Sequence, residues 1–288
     1  MMTNTPNRLP NSARKVWRKS SGYLSFAAKI VLGLAIASPL IYAVMISFMP
    51  AADIASYPPK FIPSYIVLDH FKAVLKSFPV FQYSANSLIN CLIVISFQIL
   101  IACLAAYALV FFNFRGKNFL FGLILATMMI PGETTIIANF LTISSLKLNN
   151  TRIALALPYL ASGMGIFLMR QAFLTVPREL KEAADIDGCG AMRFLFQILV
   201  PITIPSIAGL AVYSFIIIYN QYLWPLLVTN TDDMRTVQLG MSFLTQAEAG
   251  SVGDILAGAV LSLLIPTFVF IVCHKYLVKG MTAGAVKG

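Results

Sequence analysis

Charge is scarce in this chain, and the few polar clusters it keeps are where any chemistry would be done. Between residues 178 and 201, in RELKEAADIDGCGAMRFLFQILVP, the acids Glu179, Glu182, Asp185 and Asp187 stand among Arg178 and Lys181. A lone acid, Glu133, follows MMIPG, and YNQYLWP gathers Tyr219, Asn220, Gln221, Tyr222 and Trp224. Acid–base or nucleophilic catalysis needs several titratable groups brought together. The two histidines, His70 and His274, fall on opposite sides of the apolar runs described below and read as surface or interfacial residues. Cys91, Cys103, Cys189 and Cys273 form no C-x-x-C pair, so no zinc or redox site is read from them. No G-x-x-x-x-G-K-[ST] is present; the nearest stretch, FFNFRGKN, lacks the first glycine and the hydroxyl residue. The chain therefore reads as a non-enzyme, with no catalytic residues, no metal and no bound cofactor.

The elements that must position these clusters are apolar. The sequence is 58% hydrophobic and 11% charged, where soluble domains carry about a quarter charged residues. Apolar runs lie at about Ile30 to Met49, 84–110, 119–140, 153–173, 202–224 and 256–274. Each is about long enough to cross a bilayer, which takes roughly 20 helical residues. The fold class expected is all-α, a polytopic membrane protein of about six spans. Pro39, Pro131, Pro158 and Pro266 fall inside runs, which membrane helices tolerate when neighbours satisfy the freed backbone groups. The first run is longer than a signal-peptide core and more spans follow, so it is read as an uncleaved span. The chain divides into a tail (1–29), the first span with a long outer loop (30–83), a core (84–275) containing a polar segment at 177–200, and a second tail (276–288).

Lysine and arginine orient the spans. With the N-terminus in the cytoplasm, fifteen of the 21 basic residues fall inside, among them Arg8, Arg14, Lys15, Arg18, Lys19 and Lys29. Arg115, Lys117, Arg170, Arg178, Lys181, Arg193, Lys275, Lys279 and Lys287 complete that set, and both termini are expected to be cytoplasmic. The net charge of +10 is then a topology signal, and nucleic acid is not an expected partner. In the outer loop, DHFKAVLKSF places Phe71, Val74, Leu75 and Phe78 on one helical face, with Asp69 as a candidate N-cap. That face either packs on the bundle or docks a partner.

The segment 177–200 reads as a two-part helical knob in the cytoplasm. Pro177 suits a first turn, and Glu179 and Glu182 lie near the positive helix end. Glu179, Glu182 and Asp185 form an acidic stripe, while Ala183 and Ala184 keep the helix thin enough for close approach by another protein. Gly188 suits the left-handed position that ends such a helix. Phe194, Leu195, Ile198 and Leu199 then begin an apolar face running into the fifth span, so the knob is expected to be rigidly joined to it. Glu133, costly at membrane depth, either faces a cavity or partner or sits hydrated at the outer boundary. The 219–224 cluster either offers rings and amides to a sugar or forms an interfacial belt. No span carries Arg or Lys near its centre, which weighs against an anionic cargo touching this chain.

The stretch EAADIDGCGAMRFLFQILVP resembles the cytoplasmic signature of binding-protein-dependent ABC importer permeases: E-A-A, three residues, G, nine or more residues, then I-x-x-P. Glu182, Ala183, Ala184, Gly188, Ile198 and Pro201 stand at those positions, with Val200 where leucine is usual before the proline. NSLIN (86–90), the tail GMTAGAVKG (280–288) and the long first outer loop are similar to the MalG-like carbohydrate branch of this type I family. RQAFLTVPREL, DGCGAMRF and NQYLWPLL resemble its glycerol-3-phosphate members. The resemblance implies that 177–200 is a coupling helix seated on an ATPase subunit. It further implies two ATP-binding subunits using ATP and Mg, a homologous second permease, and an extracytoplasmic solute-binding protein. The location would be the bacterial plasma (inner) membrane, amid lipid. The cargo would be a sugar, oligosaccharide or polyol, or alternatively glycerol 3-phosphate, moved by alternating access. A membrane enzyme lacks its titratable cluster here, and a passive channel has no need of the knob.

Overall fold

The computed structural model describes residues 11–246 and 251–283, with side chains for 25–246 and 251–273. The basic side chains before residue 25, those of Lys275, Lys279 and Lys287, and His274 lie outside the described side chains. Helix α1 runs Asn11–Ser47, so the apolar run is the second part of a helix that starts well before Ile30. A short α2 (Ala51–Ile54) and an outer α3 (Asp69–Ser77) lead into α4 (Val80–Phe111). Next come α5 (Lys117–Thr127), α6 (Ile136–Ser145), α7 (Arg152–Ala156) and α8 (Gly163–Leu174). The polar segment forms α9 (Arg178–Ile186) and α10 (Ala191–Phe194), and α11 (Val200–Ile202) leads to α12 (Ile204–Tyr219). The chain closes with α13 (Leu223–Val228), α14 (Val237–Gln246) and α15 (Val252–Ala283).

Among the described residues, three helices are long and apolar enough to cross a membrane unbroken, at Ser25–Ser47, Val80–Phe111 and Val252–Cys273. Three further crossings are bent pairs: 89° between Lys117–Thr127 and Gly132–Ser145, 52° between Arg152–Tyr159 and Gly163–Leu174, and 79° between Ala191–Ile202 and Ile204–Tyr219. Counting each bent pair as one span gives six, the number the apolar runs suggested. Hydrocarbon cannot bond freed backbone carbonyls, so they are met by polar side chains, from the same helix or a neighbour, or by local helix adjustments. Pro39 leaves the Ala35 carbonyl without its helical donor, and Ser38 Oγ donates to it at 2.8 Å. At the 52° corner, Gln98 Nε2 of α4 donates to the Tyr159 carbonyl at 2.6 Å, and its Oε1 accepts from Ser214 Oγ of α12 at 2.5 Å.

The core has one cluster, at the knob end, around Tyr107, Met169, Phe173, Phe194, Leu195, Leu199 and Leu210. A second cluster joins Val74, Phe78 and Tyr83 to Phe215, Tyr219 and Val237. The outer helix α3 is part of the latter, with Val74 and Phe78 buried and Leu75 left exposed. Its amphipathic face packs on the bundle, mainly against α15. Asp69 is not the N-cap: Leu68 holds that position, and Asp69 pairs with exposed Lys72 at 3.4 Å. His70 is no surface residue either. It is buried, with Nδ1 2.8 Å from Asp254 Oδ1 and Nε2 3.0 Å from the Met49 carbonyl, pinning the ends of α1 and α15 to α3. Only glycine fits below it, since a Cβ on Gly253 would lie 2.5 Å from the ring.

Candidate functional site

The knob is built from its own residues. Pro177 stands at the N-cap of α9, one position ahead of the expected first turn, and Glu179 follows inside that turn. The far end closes on Gly188 at φ +71°. There the Gly188 amide donates to Asp185 O at 3.1 Å and the Cys189 amide reaches Ala184 O at 2.8 Å. This pairing is the double-bonded helix end that a left-handed residue permits. Lys181 pairs with Asp185 one turn later, so the acidic stripe keeps only Glu179 and Glu182 unneutralised along it. Lys181 also lies over the Phe194 ring at 5.5 Å.

The two alanines do different things. Ala183 is exposed, as a docking face needs. Ala184 is buried in the knob-end cluster with Tyr107, Phe173 and Phe194, so its small size serves the seat of α9 on its own bundle. Sequence reasoning missed Ile186, an apolar side chain left 87% exposed at the knob's tip between Asp185 and Asp187. The signal was available, since an isoleucine flanked by Asp185 and Asp187 has only the small Ala183 as an apolar neighbour along its own helix. Exposed Met192 extends this apolar point into α10.

The link to the fifth span is not one rigid rod. Leu195–Leu199 forms a π-helical turn, Pro201 sits exposed in α11, and the chain then turns 79° at Thr203. The corner is held by buried Thr203, whose hydroxyl donates to the Leu199 carbonyl at 2.8 Å. Phe194, Leu195 and Leu199 are fully buried beside Tyr107, Met169, Phe173 and Leu210. A push on α9 therefore reaches α4, α8 and α12 together, through one packed cluster.

The 219–224 stretch separates into different roles. Tyr219 is buried, stacks on Phe215 at 5.2 Å, and donates its hydroxyl to the Ser262 carbonyl at 3.1 Å. That carbonyl lies four residues before Pro266, so it is the one the proline leaves without a helical donor. Trp224 is buried and gives its indole N–H to the Ala154 carbonyl at 3.0 Å, four residues before Pro158. Both aromatic donors thus cap carbonyls orphaned in neighbouring spans. Trp224 is thus buried within the bundle rather than exposed as a belt residue would be. Asn220 bonds back to its own helix at the Ile216 carbonyl, 2.8 Å away. Gln221 Oε1 is buried with no hydrogen-bond partner among the described residues.

A cavity of about 750 Å³ opens between α12, α14 and α15. Tyr219, Asn220 and Tyr222 line it, as do Gln238, Ser242 and Thr245. These last three were missed, although they form a polar stripe at helical spacing in the otherwise apolar VQLGMSFLTQ. Glu133 does not line this cavity; it is exposed in the short turn Gly132–Thr135 at the 89° corner, where Pro131 and Gly132 open the helix. Arg170 lies over Phe121 at 4.1 Å, and Arg235, in the connection between α13 and α14, pairs with Asp232.

A multi-pass helical bundle that presents a capped polar knob on one side and a solute-sized cavity between its last spans is the architecture of a transport subunit. Residues 98–283 match the family model described as binding-protein-dependent transport system inner membrane component. The chain belongs to that family of ABC importer permeases and is a multi-pass subunit of the inner membrane. It is 31% identical to the arabinooligosaccharides transport system permease protein AraQ of Halalkalibacterium halodurans, over 94% of this chain and 99% of the relative. It is 33% identical to the sn-glycerol-3-phosphate transport system permease protein UgpE of Brucella melitensis, over 88% and 93%. Its fold is similar to that of a bacterial ABC transporter involved in the import of the acidic polysaccharide alginate. There the TM-score is 0.78 at 20% identity, covering 95% of this chain and 100% of that one.

Proposed function

We propose that this permease imports a sugar, oligosaccharide or polyol by alternating access, driven by two separate ATP-binding subunits. A homologous second permease and an extracytoplasmic solute-binding protein complete the assembly, and both termini face the cytoplasm. The observation that carries this reading is the double face of α9. Ala184 keys into the packed cluster shared by α4, α8 and α12, while Glu179, Glu182, Ala183 and Ile186 are left free for an ATPase cleft. Asp187 and Gly188 complete the tip, and Pro201 marks the corner where its movement enters the membrane. The chain itself carries no phosphate-binding G-x-x-x-x-G-K-[ST] loop, so ATP and Mg belong to the partners.

On the solute side, Asn220 and Tyr222 with Gln238, Ser242 and Thr245 give the cavity hydroxyls, an aromatic ring and amides. That lining suits a neutral polyhydroxy solute. No Arg or Lys lines it, which favours carbohydrate over the glycerol 3-phosphate that the UgpE relatives make the alternative. Glu133 and Gln221 remain candidates for the pathway at other depths.

The test is Glu182→Lys. Its expected outcome is loss of the ATPase subunits on purification and loss of uptake, with the membrane bundle intact by thermal unfolding. Retained association and uptake would defeat the coupling assignment. A ligand screen on the binding protein encoded beside this chain then decides between neutral sugar and phosphate ester.

A further inference from the structure

The loop between α1 and α3 shows its apolar side chains in an unexpected direction. Ile62 and Ile66 are 72% and 73% exposed, and Tyr57, Phe61 and Tyr65 are also exposed. On a water-facing loop such a cluster would be an aggregation liability. The loop is nevertheless ordered by a local clasp. Asp53, itself buried, accepts Lys60 Nζ at 2.5 Å, the Ser64 amide at 2.7 Å and Ser64 Oγ at 3.1 Å. Lys60 Nζ also reaches Ser64 Oγ at 3.0 Å, so the one cation of the loop has its charge met within the loop.

Position decides what the apolar edge meets. The loop doubles back along α1: the Phe61 and Tyr42 rings lie 5.5 Å apart, and Tyr42 Oη is 3.5 Å from the Lys60 carbonyl. Tyr42 is five residues before the end of α1 at Ser47, so at the helical rise it lies about 7 Å below that end. The apolar stretch of α1 runs on to that end at Ser47 and includes Tyr42. Phe61 therefore lies beside the last two turns of that apolar stretch rather than beyond its end. The neighbouring surface of α1 is exposed apolar side chain, including Leu40 and Ile41. The loop's apolar edge continues that lipid-facing surface, and tyrosine and isoleucine beside prolines suit the interface.

We propose that residues 57–66 are a membrane-interface wedge, with Ile62, Tyr65 and Ile66 seated in lipid beside the first span. The partner is the bilayer, in whichever leaflet meets the Ser47 end of α1. The wedge would fix the depth of α1 and hold the outer loop, and with it α3, against the membrane surface. The inference depends only on that helix end, so it stands or falls separately from the proposed orientation and cargo.

The test is spin-label accessibility in the assembled transporter in lipid nanodiscs, with Cys91, Cys103, Cys189 and Cys273 replaced by alanine. Nitroxides go on Ile62→Cys and Ile66→Cys, with Ile36→Cys on α1 as the lipid reference and Lys72→Cys on α3 as the water reference. Expected is an oxygen collision rate exceeding that of a nickel chelate at both loop sites, as at Ile36 but shallower. Nickel-dominated collisions like those of Lys72 place the loop in water and overturn the proposal. Suppression of both collision rates overturns it too, by placing a protein partner on the edge. Monodispersity on size exclusion checks each labelled assembly, and Tyr65→Cys replaces any site that fails it.

Discussion

The knob at 178–188 and the aromatic stretch at 219–224 are both short and polar against an apolar background, yet they are built on opposite plans. The knob closes on itself: its caps, its left-handed glycine and its Lys181–Asp185 pair all lie within residues 177–189. The aromatic stretch spends its donors elsewhere, on carbonyls of Ala154 and Ser262 that belong to two other spans. A self-contained motif can be exported to a partner surface without disturbing the bundle. A distributed one holds the bundle together, and its loss should register as stability before it registers as transport.

Trp224 gives that contrast its largest expected effect. Trp224→Ala empties a fully buried site and orphans the Ala154 carbonyl, at a cost of about 3–5 kcal/mol. Trp224→Phe keeps most of the volume but leaves the carbonyl unpaired, at about 1–3 kcal/mol. Pro158→Ala would return a backbone donor to that carbonyl. In the Pro158→Ala background the penalty of Trp224→Phe should therefore shrink, as read by thermal unfolding in detergent. An undiminished penalty would mean that Trp224 acts by packing alone, and the capping account would be wrong.

This same contrast marks what could be read from the chain. The spans, the knob, Gly188 and the amphipathic α3 were legible because each is written in neighbouring residues: an apolar run, a cap, an i, i+3, i+4 face. The pairing of Trp224 with Pro158 and of Tyr219 with Pro266 was not, because the donor and the proline lie tens of residues apart and meet only in the folded bundle. His70 failed for a related reason, since its carboxylate partner, Asp254, is 184 residues away. The roles of Ala183 and Ala184 divided on a helical phase that only the seat of α9 defines. Whether Glu133 and Gln221 face a pathway depends on groups outside this chain, which no residue of it encodes.

Gly188→Val tests the self-contained side. Nothing lies within 4 Å of a Cβ built there, so the cost is conformational, from φ +71° alone. A left-handed non-glycine residue costs roughly 1–2 kcal/mol. That penalty falls on the last turn of α9, so uptake should drop several-fold while the unfolding temperature of the bundle stays put. Gly188→Asn should retain much of the uptake, because asparagine tolerates this conformation. A Val variant that transports normally, or one that unfolds the bundle, would erase the distinction between the two plans.

The smallest effect expected concerns a second self-contained piece, the Asp53 clasp. Hydrogen bonding from Lys60, then from the Ser64 amide, holds the Asp53 carboxyl below the ordinary aspartate range despite its burial. A carboxyl depressed in the folded loop adds order only while it is ionised. That contribution is complete above the unfolded aspartate value of about 4 and is lost as pH falls through the lower native value. Loop mobility, followed by hydrogen exchange of the Ser64 amide, should be flat from neutral pH down to about 4 and rise below it. In Asp53→Asn the exchange should be faster at neutral pH and should lose that acid-specific rise once intrinsic exchange is corrected for. The acid transition and its removal by one substitution would place the clasp with the knob, as structure written and held within a single stretch of chain. An acid rise that persists in Asp53→Asn would instead tie the loop to ionisable groups elsewhere, and so to the distributed plan of Trp224.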